Sequence, residues 1–134
     1  MLRYLLTWVA VAAVFLAIDA VWLAYVAKGF YQKHLSGLLR EEFLMAPAAL
    51  FYLFYAFCLV VLVIAPAVRM ASPWQAVFLG ALLGLCAYGT YDMTNLATIK
   101  GWPVIVSVVD MAWGASITAF VCWIGYLVMS RIPA

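Results

Sequence analysis

The chain has 134 residues, of which 71% are hydrophobic and 9% charged, whereas a soluble domain is roughly 45 to 50% apolar and about 25% charged. A mean hydropathy of +1.17 excludes a disordered chain, a coiled coil and a nucleic-acid module built on a basic stripe, and leaves the bilayer as the solvent. The net charge of +2 is too small to argue for an acidic partner or for nucleic acid, so the few charges matter by position.

Four apolar runs follow one another, with edges marked by charge or proline. The first covers about 4–27, between Arg3 and Lys28. It is too long for the apolar region of a secretory signal, is interrupted by Asp19 and lacks an A-x-A site, so it reads as a span. The second covers about 47–68, opening on Pro47 and closing at Arg69 just after Pro66. The third, about 74–96, lies between Pro73 and Lys100; the fourth, about 103–129, opens at Pro103 and ends before Arg131. Each reaches the roughly 20 residues that cross a hydrocarbon core of about 30 Å.

The expected fold is therefore all-α: one transmembrane domain over residues 1–134, a four-helix bundle with a short interfacial helix between the first and second spans. That extra helix is expected within Lys28 to Ala46, where Phe30, Tyr31, Leu35, Leu38, Leu39 and Phe43 recur at helical spacing, with Lys33 and Arg40 toward phosphate. The competing reading is a solvated loop folded under the bundle. An even number of spans puts both termini on one side, here the terminal side; the other is the loop side. Arg3, Arg69 and Arg131 lie on the terminal side against Lys28, Lys33, Arg40 and Lys100 on the loop side, a margin too narrow for the positive-inside rule. Cys58, Cys86 and Cys122 sit singly in apolar runs and read as small hydrophobes. His34 reads as an interfacial residue.

Asp19, Asp92 and Asp110 carry the functional signal, because an ionisable group inside a span costs at least about 2.5 kcal/mol on insertion scales and faces the bundle interior. Counted from the loop side, Asp19 and Asp110 lie roughly 10 to 12 Å deep, and Asp92 lies near the loop-side end of the third span. On that third helix Tyr88, Tyr91, Asp92 and Asn95 share one broad face, flanked by Thr90, Thr94 and Thr98. Gly80 and Gly84 form a G-x-x-x-G in its apolar half, a helix-packing surface. The first and fourth helices carry the same element, Asp19-Ala-Val-Trp22 and Asp110-Met-Ala-Trp113. The helices run in opposite directions, so the two D-x-x-W elements form an inverted pair in which each Trp shares a face with its Asp. Ser107 and Gly114 lie on the Asp110 face and leave room there. The competing reading is a structural polar network, with Asp92 capping backbone or pairing with Lys100.

At these residues the chain resembles an uncharacterised bacterial integral-membrane family, the domain of unknown function numbered 2177. The resemblance rests on Asp19-x-x-Trp22-Leu23, Phe30-Tyr31, Phe51-Tyr52 and Pro66-Ala67. Its most specific part is Tyr88-Gly-Thr90-Tyr91-Asp92-Met-Thr94-Asn95-Leu-Ala97-Thr98-Ile-Lys100-Gly-Trp102-Pro103, followed by Asp110-x-x-Trp113-Gly114. Met93 and Ile99 stand where leucines are expected, a departure that touches packing. The resemblance implies a compact four-helix membrane protein, here of a bacterial inner membrane, and points to the same Asp, Asn, Lys and Trp positions. It supplies no activity.

Three functions compete. An enzyme would use one carboxylate as general acid or base beside a lipid or isoprenoid substrate, with Tyr and Trp around positive charge. No histidine box, G-x-S-x-G or Gly-rich phosphate loop is present, and no catalytic residue is assigned. A transporter would bind a cation or proton at the carboxylates, but polar residues are scarce in the terminal-side half apart from Thr7 and Thr118. An accessory subunit would dock through its apolar sides on a larger membrane complex or on a second copy of itself. The leading expectation is a pocket, open toward the loop side, that binds a lipid-like or cationic small molecule among membrane lipids. Its candidate binding residues are Asp19, Trp22, Tyr88, Tyr91, Asp92, Asn95, Lys100, Asp110 and Trp113. No cofactor is expected; for a metal, three Asp with Asn95 would suit only a hard cation such as Mg²⁺ or Ca²⁺.

Overall fold

The structure is a computed structural model that describes residues 1–42 and 44–134. Phe43, one of the apolar positions assigned to the interfacial helix, lies outside the described residues. The described residues form four long helices and no strand: α1 Leu2–Leu35, α2 Met45–Arg69, α3 Pro73–Thr98 and α4 Val104–Arg131. All four are long and apolar enough to cross a membrane. In such a medium the backbone must satisfy its own polar groups, which a continuous helix does.

The short helix of the connection is present at Lys28–Leu35, but it is not a separate element. It continues the first span through a π-helical turn at Trp22–Ala27, so α1 is one helix of 34 residues. At a rise of ~1.5 Å per residue α1 is ~50 Å long, and ~20 Å of it extends beyond a hydrocarbon core of ~30 Å. Helix ends at Leu35: Ser36 leaves helical dihedrals, and Gly37 takes a φ of 89° that a side chain would resist. The helical spacing of Leu38 and Leu39 therefore does not continue as helix; both lie in the turn and bend that follow.

A second π turn, Val60–Ile64, interrupts α2 just before Pro66. Proline has no N–H to return to the carbonyl four residues earlier, and its ring crowds that carbonyl, so a wider turn ahead of it relieves both. After α2 the chain reverses within three residues, where the Ser72 amide bonds the Ala67 carbonyl at 3.1 Å. The Ser72 hydroxyl then accepts from the Gln75 amide at 3.3 Å, and Pro73 fills the first helical position of α3.

Lipid tails are as apolar as leucine, so these helices associate by close approach rather than by exclusion of water. The closest approach is between α3 and α4. A Cβ on Gly80 would stand 2.9 Å from that of Cys122, and one on Gly84 would meet the Gly114 carbonyl and lie 2.8 Å from Thr118. Gly125 of α4 receives the Ile64 side chain of α2 in the same way. The terminal-side core is built from Val11 and Phe15 of α1, Leu59, Val60 and Ile64 of α2, and Val121, Cys122 and Met129 of α4. Its two buried threonines are satisfied internally: Thr7 donates to the Arg3 carbonyl at 2.7 Å, and Thr118 pairs with the Tyr55 hydroxyl at 3.0 Å. All three cysteines are free.

Candidate functional site

Toward the loop side the bundle opens into a cavity of about 340 Å³. Its wall takes Asp19, Trp22, Tyr31 and Leu35 from α1, Tyr52 from α2, and Tyr88 and Tyr91 from α3. The fourth side is Val106, Asp110 and Trp113 of α4, and Trp102 reaches in from the turn before it. No Lys, Arg or His lines the cavity among the described residues.

The π turn decides which residues of α1 take part. At ~100° per residue Tyr31 would stand ~120° around an ideal α-helix from Asp19. Six residues at the wider π pitch, ~4.4 per turn, remove ~110° of that rotation and return Tyr31 to the Asp19 face. Tyr31 then meets α4 where the first helix would otherwise have carried it away. Its hydroxyl donates to Asp110 Oδ1 at 2.6 Å, and Leu35, one turn on, packs with Val106 and Trp102.

Each cavity carboxylate is held by neutral donors. Asp19 is 6% exposed and accepts from the Tyr52 hydroxyl at Oδ2 and from Trp113 Nε1 at Oδ1, 3.2 Å away. The two D-x-x-W elements meet through their rings: Trp22 and Trp113 stack at 4.1 Å with 9° between their planes. Trp113 thus crosses to the carboxylate of the opposite element, whereas Asp110 takes Tyr31 as its donor. Hydrogen bonds from Tyr and Trp fix the orientation of these two carboxyl groups at the cavity wall.

Asp92 differs. It is fully enclosed, and neither of its side-chain oxygens has a hydrogen-bond donor within range. What faces it is another carboxyl, that of Asp110. Its main chain is anchored separately: Trp102 Nε1 donates to Ser107 Oγ at 3.0 Å, and that hydroxyl donates to the Asp92 carbonyl at 3.0 Å. Ser107 therefore ties α4 to α3 rather than opening space. Gly114 is likewise occupied, since a Cβ there would collide with the Tyr88 ring; the glycine admits the tyrosine that floors the cavity.

Of the nine candidate residues, Asp19, Trp22, Tyr88, Tyr91, Asp110 and Trp113 line one cavity. Asp92 lies behind its wall. Asn95 is half-buried outside it, and its carbonyl accepts the Ile99 amide at 2.8 Å where α3 ends. Lys100 is exposed and does not line the cavity. Tyr31, Tyr52 and Trp102 are site residues that the sequence reading does not single out; the aromatic pairs Phe30-Tyr31 and Phe51-Tyr52 are the signal for the two tyrosines, and the Lys100-Gly-Trp102-Pro103 stretch is the signal for Trp102. The described residues contain no group of three or more His, Cys, Asp or Glu arranged for a metal.

Fold and sequence together define a four-helix integral membrane protein. The model of the predicted membrane protein family DUF2177 matches residues 4–127, and the chain belongs to that family. No curated protein and no solved structure matches it.

Proposed function

We propose that the protein binds a small molecule carrying positive charge on an apolar body, in the loop-side cavity, within a bacterial inner membrane. The observation that carries this reading is the composition of the wall: two carboxylates, a shell of Trp and Tyr rings, and no cationic side chain among the described residues. A cation held ~5 Å from one carboxylate gains roughly 3 kcal/mol at an effective dielectric constant of ~20. Aromatic faces add cation–π attraction, greater where water is excluded. Leu23, Leu35, Leu39 and Val106 supply apolar wall for the rest of the ligand. Its volume sits at the small end of ligand cavities, ~300 to 1,000 Å³, which favours a compact head group or a small amine. Exposed apolar side chains such as Phe54, Leu62, Phe78 and Val104 leave the flanks to lipid.

A purely structural network would satisfy its members, as Tyr52 and Trp113 satisfy Asp19. Asp92, enclosed and without a donor, does not fit that account. Calorimetric titration of the purified protein with phenyltrimethylammonium, a compact aromatic cation, tests the assignment. Asp19→Asn and Asp110→Asn should each weaken binding tenfold or more, about 1.4 kcal/mol, while Trp74→Phe on the exposed far end of α3 leaves it unchanged. Equal affinity in the double Asp19→Asn, Asp110→Asn variant would refute it.

A further inference from the structure

Asp92 is the one of the three intramembrane aspartates that does not line the cavity. Ser107, itself held by Trp102, donates to the Asp92 main-chain carbonyl, and the side chain is left to Asp110. Among the described residues, Tyr31 of α1 and Tyr91 of α3 face both members and Tyr52 of α2 and Tyr88 of α3 face Asp110, while Asp19 of α1 shares the cavity wall with Asp110 and is bonded to Tyr52 and Trp113. Among the described residues Tyr31 is the donor to the pair, at Asp110 Oδ1. Two ionised carboxylates so placed repel each other and have lost hydration without gaining a donor. A single proton between them removes the repulsion and gives Asp92 its missing hydrogen bond, a charge-assisted one of the stronger kind. Asp110 borders the cavity and Asp92 does not, so a proton leaving the pair passes by way of Asp110.

We propose that Asp92 and Asp110 form a carboxyl dyad that holds one proton in the ligand-free protein and releases it when a cation enters the cavity. The O–H bond breaks, the proton goes to loop-side water, and the arriving cation replaces it as counter-charge to Asp110; nothing is oxidised or reduced. The exchange rests on the cation-binding reading above, whereas the proton on the dyad does not. The site would then be an exchanger of cation for proton at one face, its affinity rising with pH because fewer protons compete.

Infrared spectroscopy of the purified protein at neutral pH, with hydrogen–deuterium shifts to identify the mode, reads the proton directly. A carbonyl band of a protonated carboxylic acid should be present in the unvaried chain. Asp92→Asn should abolish it, because the amide donates to Asp110 and leaves that group ionised; Asp110→Asn should abolish it from the other side. Asp19→Asn should retain it. Gel filtration and the melting temperature establish that each variant is folded. Adding phenyltrimethylammonium in weak buffer with an indicator dye should release about one proton per bound cation, and none from Asp92→Asn. A missing band at neutral pH, or one that survives Asp92→Asn, overturns the dyad. Binding without proton release overturns the exchange alone, and absence of binding overturns the exchange together with the cavity reading.

Discussion

Tyr88 lies across the cavity floor because the residue opposite it on α4 is glycine, and any side chain at Gly114 would occupy the ring's position. Gly114→Ala should therefore displace Tyr88 and destabilise the protein by about 1 to 3 kcal/mol, the usual cost of forcing a close-packed contact apart. A melting curve in detergent would register it as a lower Tm. Tyr52→Phe tests the other kind of site contact. It removes a donor from Asp19, which is 6% exposed, and should cost about 1 to 3 kcal/mol in the same assay because a buried acceptor is left less satisfied. At this scale the carboxylates and the two tryptophans were legible in the sequence, since charge inside an apolar run is rare and the D-x-x-W repeat is visible by eye. Tyr31 and Tyr52 were not, because tyrosine near a span end reads as an interfacial aromatic. Their acceptors lie 79 and 33 residues away along the chain, pairings that periodicity does not reveal.

Among the elements, α1 departs most from what its sequence suggests. Apolar spacing gives the boundaries of a span but carries no mark of a π turn, so a count at constant α pitch puts Tyr31 on the wrong face. The charged residues after Lys28 also read as the start of a new element, whereas the hydrogen-bonded backbone runs on to Leu35. Deleting Ala24, an exposed residue inside the π turn, removes ~100° of helix rotation, about what the wider turn absorbs, so the segment should become plain α-helix with Tyr31 and Leu35 still facing α4. A Leu35→Cys, Val106→Cys pair, adjacent in the packed state, would report this by oxidative cross-linking in a background lacking Cys58, Cys86 and Cys122. Cross-linking should be efficient both in the full-length helix and in the deletion; its loss in the deletion would show that the π turn does not absorb one extra residue to keep the register. The α3–α4 contact was far more legible, because Gly80 and Gly84 at helical spacing declare a close approach.

On the scale of the molecule, polar chemistry is confined to one half. The terminal-side crevice between α1 and α2, about 490 Å³, is bordered by Leu5, Trp8, Phe57 and Val61 and by no charged side chain. Thr7 and Thr118 are consumed by partners within the protein. Among the described residues the polar wall therefore belongs to the loop-side cavity, and the terminal-side crevice is apolar. Four spans place both termini together, so single thiols added at Met1 and at Ala134, with the native cysteines replaced, should react with an impermeant reagent from the same side of sealed vesicles. Labelling from opposite sides would contradict the topology.

The central claim is that the loop-side cavity recognises positive charge and not merely apolar bulk. Phenyltrimethylammonium and tert-butylbenzene have nearly the same shape and differ in a nitrogen cation against a neutral carbon, so their competition for the purified protein, monitored by Trp fluorescence with the Asp19→Asn, Asp110→Asn double variant as the reference for partition into detergent, isolates the charge. The account predicts that the cation binds at least tenfold more tightly than its neutral isostere, a difference of about 1.4 kcal/mol, and that the preference disappears in the double variant. Equal binding of the two probes, or a preference for the cation that survives loss of both carboxylates, would contradict it.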